Sequence, residues 1–136
     1  MIHVLGLDHF VLTVRSIERT AAFYGRVLGM AVETYGAGRT ALRLGSIKIN
    51  LHEDGSAPAL RARAPRPGAA DFCLEVEGPV ADVAAALAAQ SVEVEEGPVA
   101  RNGARGPMIS VYVRDPDGNL VELSVYDDGG ASPGSA

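Results

Sequence analysis

Residues 7–14 read LDHFVLTV and residues 70–76 read ADFCLEV, and the two stretches share one pattern. In the first, Phe10, Leu12 and Val14 alternate with His9, Val11 and Thr13; in the second, Phe72, Leu74 and Val76 alternate with Asp71, Cys73 and Glu75. A period of two sends alternate side chains to opposite faces, so each stretch reads as a half-buried strand. Laying one start on the other sets Asp71 against His9. The match suggests that the chain repeats a unit.

The flanking sequence supports the repeat. After the first strand, Ser16 is a candidate N-cap and Glu18 favours the positive helix start. Ala21, Ala22, Tyr24, Val27 and Leu28 recur at helical spacing before Gly29, which predicts a helix over 17–28. MAVETYG (30–36), RTALRLG (39–45) and SIKINLHE (46–53) then read as three short strands separated by Gly-containing turns. After the second strand, Pro79 fits a first helical position and an Ala-rich stretch predicts a helix over 79–90. Three strand candidates follow: VEVEEG (92–97), PMISVYVR (107–114) and, beyond the turn DPDG, NLVELSVY (119–126). The order β-α-β-β-β thus occurs twice. Residues 54–69, with three prolines, three arginines and no period, read as a connector.

The expected architecture is α+β: two tandem β-α-β-β-β modules, 5–53 and 70–127, forming a curved mixed sheet around a cup with the helices outside. A chain of 136 residues that is 47% hydrophobic fits a single domain over 1–128. The Gly-, Ser- and Ala-rich end, 129–136, is expected to be a flexible tail.

Composition narrows the partners. Twelve basic against seventeen acidic residues give a formal charge of −5, with no basic block and few aromatics for base stacking, which argues against nucleic acid. No apolar run approaches the roughly 18 residues of a spanning helix, and the first residues lack a basic-then-apolar signal, so no membrane partner and a cytoplasmic location are expected. Cys73 lies in an apolar run and reads as a buried structural thiol. A small-molecule ligand is the default.

LDHFVLTV with AAFYGRVLGM, and later DPDGNLVELSVY, resemble the vicinal oxygen chelate superfamily of glyoxalases, bleomycin-resistance proteins and dioxygenases, over residues 5–127. KINLHE, EEGPVARNGARGP and SVYVRDPDGNLVELSVY are similar to a glyoxalase-domain-containing branch sometimes labelled virulence-protein-like. The resemblance implies ligand-facing residues on the first and last strands of each module, here His9, Asn50, Asp71 and Glu122. Aligning IKINLHE with NLVELSVY likewise sets Asn50 against Glu122 and His52 against Ser124. Two positions depart from the family's metal pattern. Asn50 stands where glyoxalase I usually has Glu, and Asp71 stands where most metal-dependent members have His, so glyoxalase I activity is disfavoured.

The resemblance and the residue types lead to an expected metal set of His9, Asp71 and Glu122 for a divalent ion (Mn, Mg, Fe, Ni or Zn), with His52 the alternative to Asp71. Such an ion would support lyase or isomerase chemistry on a small oxygen-rich or anionic metabolite, with Glu75 or His52 as base. The segment 97–107, GPVARNGARGP, reads as a mobile lid whose Arg101 and Arg105, together with Asn50, bind the substrate. The competing reading, from bleomycin-resistance relatives, is a metal-free cup that sequesters a drug or metabolite. A homodimer is expected from the resemblance and from the open sheet edges.

Overall fold

The computed structural model describes residues 1–126. The chain divides after Ala69 into two compact units, at the end of the expected connector. Each unit carries a four-stranded mixed sheet and one helical segment, in the order β-α-β-β-β. The expected tail, 129–136, lies outside the described residues.

In the first unit, β1 (His9–Val14) leads into α1 (Ile17–Ala22), then β2 (Ala31–Tyr35), β3 (Arg39–Leu44) and β4 (Ile47–Glu53). The Ser16 hydroxyl caps α1 by accepting from the Arg19 N–H at 3.1 Å. The Glu53 carboxylate accepts from the Ile17 N–H at 3.0 Å, which ties the helix start to the end of β4. The expected helix 17–28 is present, but its second half, Phe23–Val27, winds as a π-helical turn. The sheet order is β1-β4-β3-β2, with β1 and β4 parallel. Leu12, Val14, Leu42, Ile49 and Leu51 turn to the buried side, where Tyr24 is fully enclosed.

In the second unit, β5 (Asp71–Glu75) leads into α2 (Val80–Ala89), then β6 (Glu96–Gly103), β7 (Gly106–Arg114) and β8 (Leu120–Tyr126). The sheet order is β5-β8-β7-β6, with β5 parallel to β8. Leu74, Val111, Val113, Val121 and Leu123 form the buried face, and α2 packs on β7. Two details differ from expectation. Pro79 is the N-cap of α2 and not its first helical residue. Residues 97–107 do not form a loop: they are most of the β6–β7 hairpin, and the strand expected at 92–97 begins only at Glu96. The pairing shifts register between Glu96 and Val99. Gly97 sits in that bulge at φ 111°, where a Cβ would run into the Ser110 carbonyl.

The turn from β7 to β8 fixes where β5 lies. Asp115 Oδ1 accepts the N–H groups of Asp117 (2.9 Å) and Asn119 (3.0 Å), and the Asn119 amide donates back to Asp115 Oδ2 at 2.8 Å. The Asn119 carbonyl oxygen accepts the Ala70 N–H at 2.8 Å, and the Leu120 N–H donates to the Ala70 carbonyl at 3.1 Å. Asn119 is 1% exposed, so losing its amide removes the partner of the part-buried Ala70 N–H and of a buried Asp115 oxygen. Asn119→Ala is expected to cost about 2–3 kcal/mol, roughly 10 °C in melting temperature by thermal denaturation. A change below about 2 °C would contradict this role for the turn.

Candidate functional site

The strand parity that buries Leu74, Val111 and Leu123 puts a polar set on the opposite face of the second sheet. Asp71, Cys73 and Glu75 share this face on β5, Glu122 and Ser124 on β8, and Ser110 and Tyr112 on β7. Register places Glu122 between Cys73 on one side and Tyr112 on the other. A cavity of about 370 Å³ opens here, lined by Asp71, Leu120 and Glu122 and, from the hairpin side, by Glu95, Glu96, Arg101 and Tyr112.

The charges around this cavity are unevenly matched. Arg114 pairs with Glu95 through two bonds of 2.9 Å, and Arg101 donates to Glu96 at 2.9 Å. Glu75, on the same face, is held by both terminal nitrogens of Arg105 at 3.0 and 2.9 Å. Among the described residues, neither Asp71 nor Glu122 is bonded to an arginine, although the charge of Arg114 acts on Asp71. Glu122 is gripped by neutral donors: the Ser110 hydroxyl donates to its Oε2 at 2.6 Å, and the Ser124 hydroxyl lies 3.3 Å from the same oxygen. Hydroxyl donors fix a carboxylate without cancelling its charge. The cavity therefore presents two carboxylates that no arginine binds directly, a setting that favours a cation.

Tyr112 completes the wall. Its oxygen accepts from Arg101 Nε at 2.9 Å. Burial holds the phenol above its ordinary pKa, with Glu122 adding to the rise and the Arg101 bond opposing it. It stays a neutral donor at physiological pH.

The expected site residues fall into two groups, one in each unit. In the first unit, His9, Asn50 and His52 share one face of the sheet: His9 lies opposite Lys48, Asn50 opposite Val11 and His52 opposite Thr13. His9 Nδ1 is 2.8 Å from Asp8 Oδ2, and Asn50 Oδ1 is buried with no hydrogen-bond partner. Burial, helped by nearby Arg39, lowers the His52 pKa and keeps the imidazole neutral. In the second unit, Asp71, Glu122 and Arg101 meet in the cavity, while Glu75 and Arg105 bind each other. Arg105 also lies over the Tyr126 ring at 4.2 Å, and the Arg105 pair holds the Glu75 carboxyl below its usual range. A substrate anion would meet either arginine only by displacing a glutamate.

A bound divalent ion needs several donor atoms brought together. Among the described residues, no three His, Cys, Asp or Glu side chains stand close enough together to form a ready-made coordination shell. Asp71 and Glu122 nevertheless fit one kind of ion. Mg²⁺ and Mn²⁺ prefer hard oxygen donors, and Mg²⁺ is characteristically held by one or two carboxylates with water or substrate completing the shell.

Sequence reading missed Ser110, Tyr112, Ser124, Glu95 and Glu96, and it misplaced Cys73. The thiol is not a core group: the residue is exposed on the polar face, with Sγ 3.1 Å from Ser124 Oγ. The apolar neighbours Phe72 and Leu74 point the other way, and alternation within DFCLE was the available signal.

The chain belongs to the Glyoxalase/Bleomycin resistance protein/Dioxygenase superfamily, whose family model matches residues 6–123. It is 48% identical to the glyoxalase domain-containing protein RDO1 of Mycosarcoma maydis over 92% of this chain and 70% of that protein. It is 44% identical to virulence protein STM3117 of Salmonella typhimurium over 88% of this chain and 83% of that protein. Among solved structures, an integron cassette protein from the mobile metagenome of V. cholerae superposes with a TM-score of 0.90 at 45% identity, covering 93% of this chain and 98% of that one. More distant likenesses, which show shared fold alone, include lactoylglutathione lyase of Agrobacterium tumefaciens (21% identity, TM-score 0.70, covering 94% of this chain and 98% of that one) and the antibiotic-binding protein TnmS3 of Streptomyces (20%, TM-score 0.67, covering 92% and 98%). No helix among the described residues is long and apolar enough to cross a membrane.

Cys73 offers a check on this face. Burial of its sulfur raises the thiol pKa, and the nearby Glu122 and Glu75 carboxylates add to the rise. The thiolate fraction at pH 7.5 is small, so iodoacetamide should label Cys73 several-fold more slowly than free cysteine despite its exposure. Labelling at the free-cysteine rate, followed by mass spectrometry, would show that burial and the neighbouring carboxylates do not suppress the thiolate.

Proposed function

We propose that this protein is a divalent-metal-dependent enzyme of the lyase or isomerase type, acting on a small oxygen-rich metabolite. The observation that supports this most directly is the pair Asp71 and Glu122, which face one cavity with no arginine bonded to either among the described residues, while Glu75, Glu95 and Glu96 are each bonded to an arginine. Asp71 and Glu122 would hold the ion, which would supply Lewis-acid polarisation of substrate oxygens. The neutral Tyr112 phenol donates a hydrogen bond to a substrate oxygen, oriented by Arg101 behind it.

Of the two candidate bases, His52 in the first unit is a neutral imidazole, and Glu75, on the same sheet face as Asp71, gains basicity only when Arg105 leaves it for a substrate anion. The kinship in fold with lactoylglutathione lyase agrees with an enzyme, and that with an antibiotic-binding protein supplies the competing reading, a metal-free sequestration protein. Homodimer formation, common in the superfamily, belongs to the same proposal.

The test is thermal denaturation of chelator-treated protein with and without Mn²⁺. An ion present at 100 times its Kd stabilises the native state by about 2.7 kcal/mol, so the wild type should melt several degrees higher. Glu122→Ala and Asp71→Ala should remove that shift. His52→Ala should leave it nearly intact if Asp71 is a ligand, and remove it if His52 serves instead. If the wild type shows no shift with Mn²⁺, Mg²⁺, Fe²⁺, Ni²⁺ or Zn²⁺, the enzyme reading falls and sequestration replaces it.

A further inference from the structure

Behind Glu122, the sheet carries a line of hydrogen-bonding side chains whose donors can be counted. Ser110 Oγ has one proton and donates it to Glu122 Oε2 at 2.6 Å. Ser124 Oγ lies 2.7 Å from Ser110 Oγ and only 3.3 Å from the carboxylate, so its proton has its better acceptor in Ser110. Ser124 is then left as the acceptor for Cys73 Sγ at 3.1 Å. The direction of the line follows: thiol to hydroxyl, hydroxyl to hydroxyl, hydroxyl to carboxylate. Each donor polarises the next, which strengthens the bond at the charged end.

Both serines are essentially buried, at 0% and 1% exposure, so water cannot take their place. Both also lie on the central strands of the sheet. A buried serine pair aimed at one carboxylate oxygen has a more specific consequence: it restricts rotation of the Glu122 side chain while leaving its full negative charge to face the cavity.

We infer that Ser110 is a positioning residue, which orients Glu122 as a metal-binding carboxylate through this neutral donor chain, with Ser124 supporting it from behind. The inference rests on the metal-binding reading above. Groups that orient a metal ligand in this way typically contribute 10- to 100-fold in affinity. An arginine in the same place would orient Glu122 equally well but would compete with the ion for its charge.

The experiment is Mn²⁺ titration of the full chain by electron paramagnetic resonance, which reads free and bound ion directly, beside the melting temperature of each metal-free variant. Ser110→Ala should weaken Mn²⁺ by about 10-fold or more. Ser110→Thr, which keeps the hydroxyl, should restore affinity to within about 3-fold of wild type. Ser124→Ala should give an intermediate loss, and it decides the matter if Ser110→Ala does not fold. The inference is overturned if the wild type binds Mn²⁺ and the two alanine variants bind it equally well, or if Ser110→Thr is as weak as Ser110→Ala. A wild type that binds no Mn²⁺ overturns the metal-binding reading itself, and this inference with it.

Discussion

The amide of Asn119 is the contact on which the second unit's site depends. Its carbonyl oxygen takes the Ala70 N–H while its NH₂ group donates to Asp115, so one buried side chain joins the β7–β8 turn to the start of β5. That junction sets the register in which Asp71 lies opposite Leu120 and Cys73 opposite Glu122. A slip of one residue would carry Asp71 and Cys73 to the buried face and bring Phe72 and Leu74 to the polar one. The interaction takes no part in the chemistry itself, yet it decides which side chains face the cavity.

The chemistry of the polar face follows from how its carboxylates are compensated. Exposed arginine–glutamate pairs such as Arg114–Glu95 and Arg105–Glu75 neutralise charge at the rim. Glu122 is instead held by hydroxyls, and Asp71 feels the charge of Arg114 without a bond to it among the described residues, so negative charge is left facing the cavity. Fixed charge beside a cavity is what selects a cation over an anionic ligand at that point. The arginines would then act on the outer parts of a substrate, through exchange of their glutamate partners, while the carboxylates govern the centre.

Much of the fold is legible in the sequence because alternation is an intrinsic signal. LDHFVLTV and ADFCLEV assign Leu12, Val14 and Leu74 to the core and His9 and Asp71 to the other face, and the structure places them so. The β6 strand is hidden because GPVARNG has the composition of a loop; its pairing comes from β7, and Gly97 is needed for a bulge that only the partner strand reveals. Cys73 is misread because thiols are usually buried, and its place on the polar face depends on parity. Ser110, Tyr112 and Ser124 escape notice because a hydroxyl in a strand has no signature of its own. The relation of Ser110 and Tyr112 to Glu122 arises from cross-strand register, which connects residues 12 and 10 positions apart in ways that spacing alone does not disclose.

The proposed cation site at Asp71 and Glu122 can be seen by anomalous diffraction at the manganese edge, from crystals grown with Mn²⁺. An ion held by both carboxylates gives a peak about 2.0–2.3 Å from oxygens of Asp71 and of Glu122. A peak that touches neither residue, or a well-ordered cavity with no peak at saturating Mn²⁺, would contradict it.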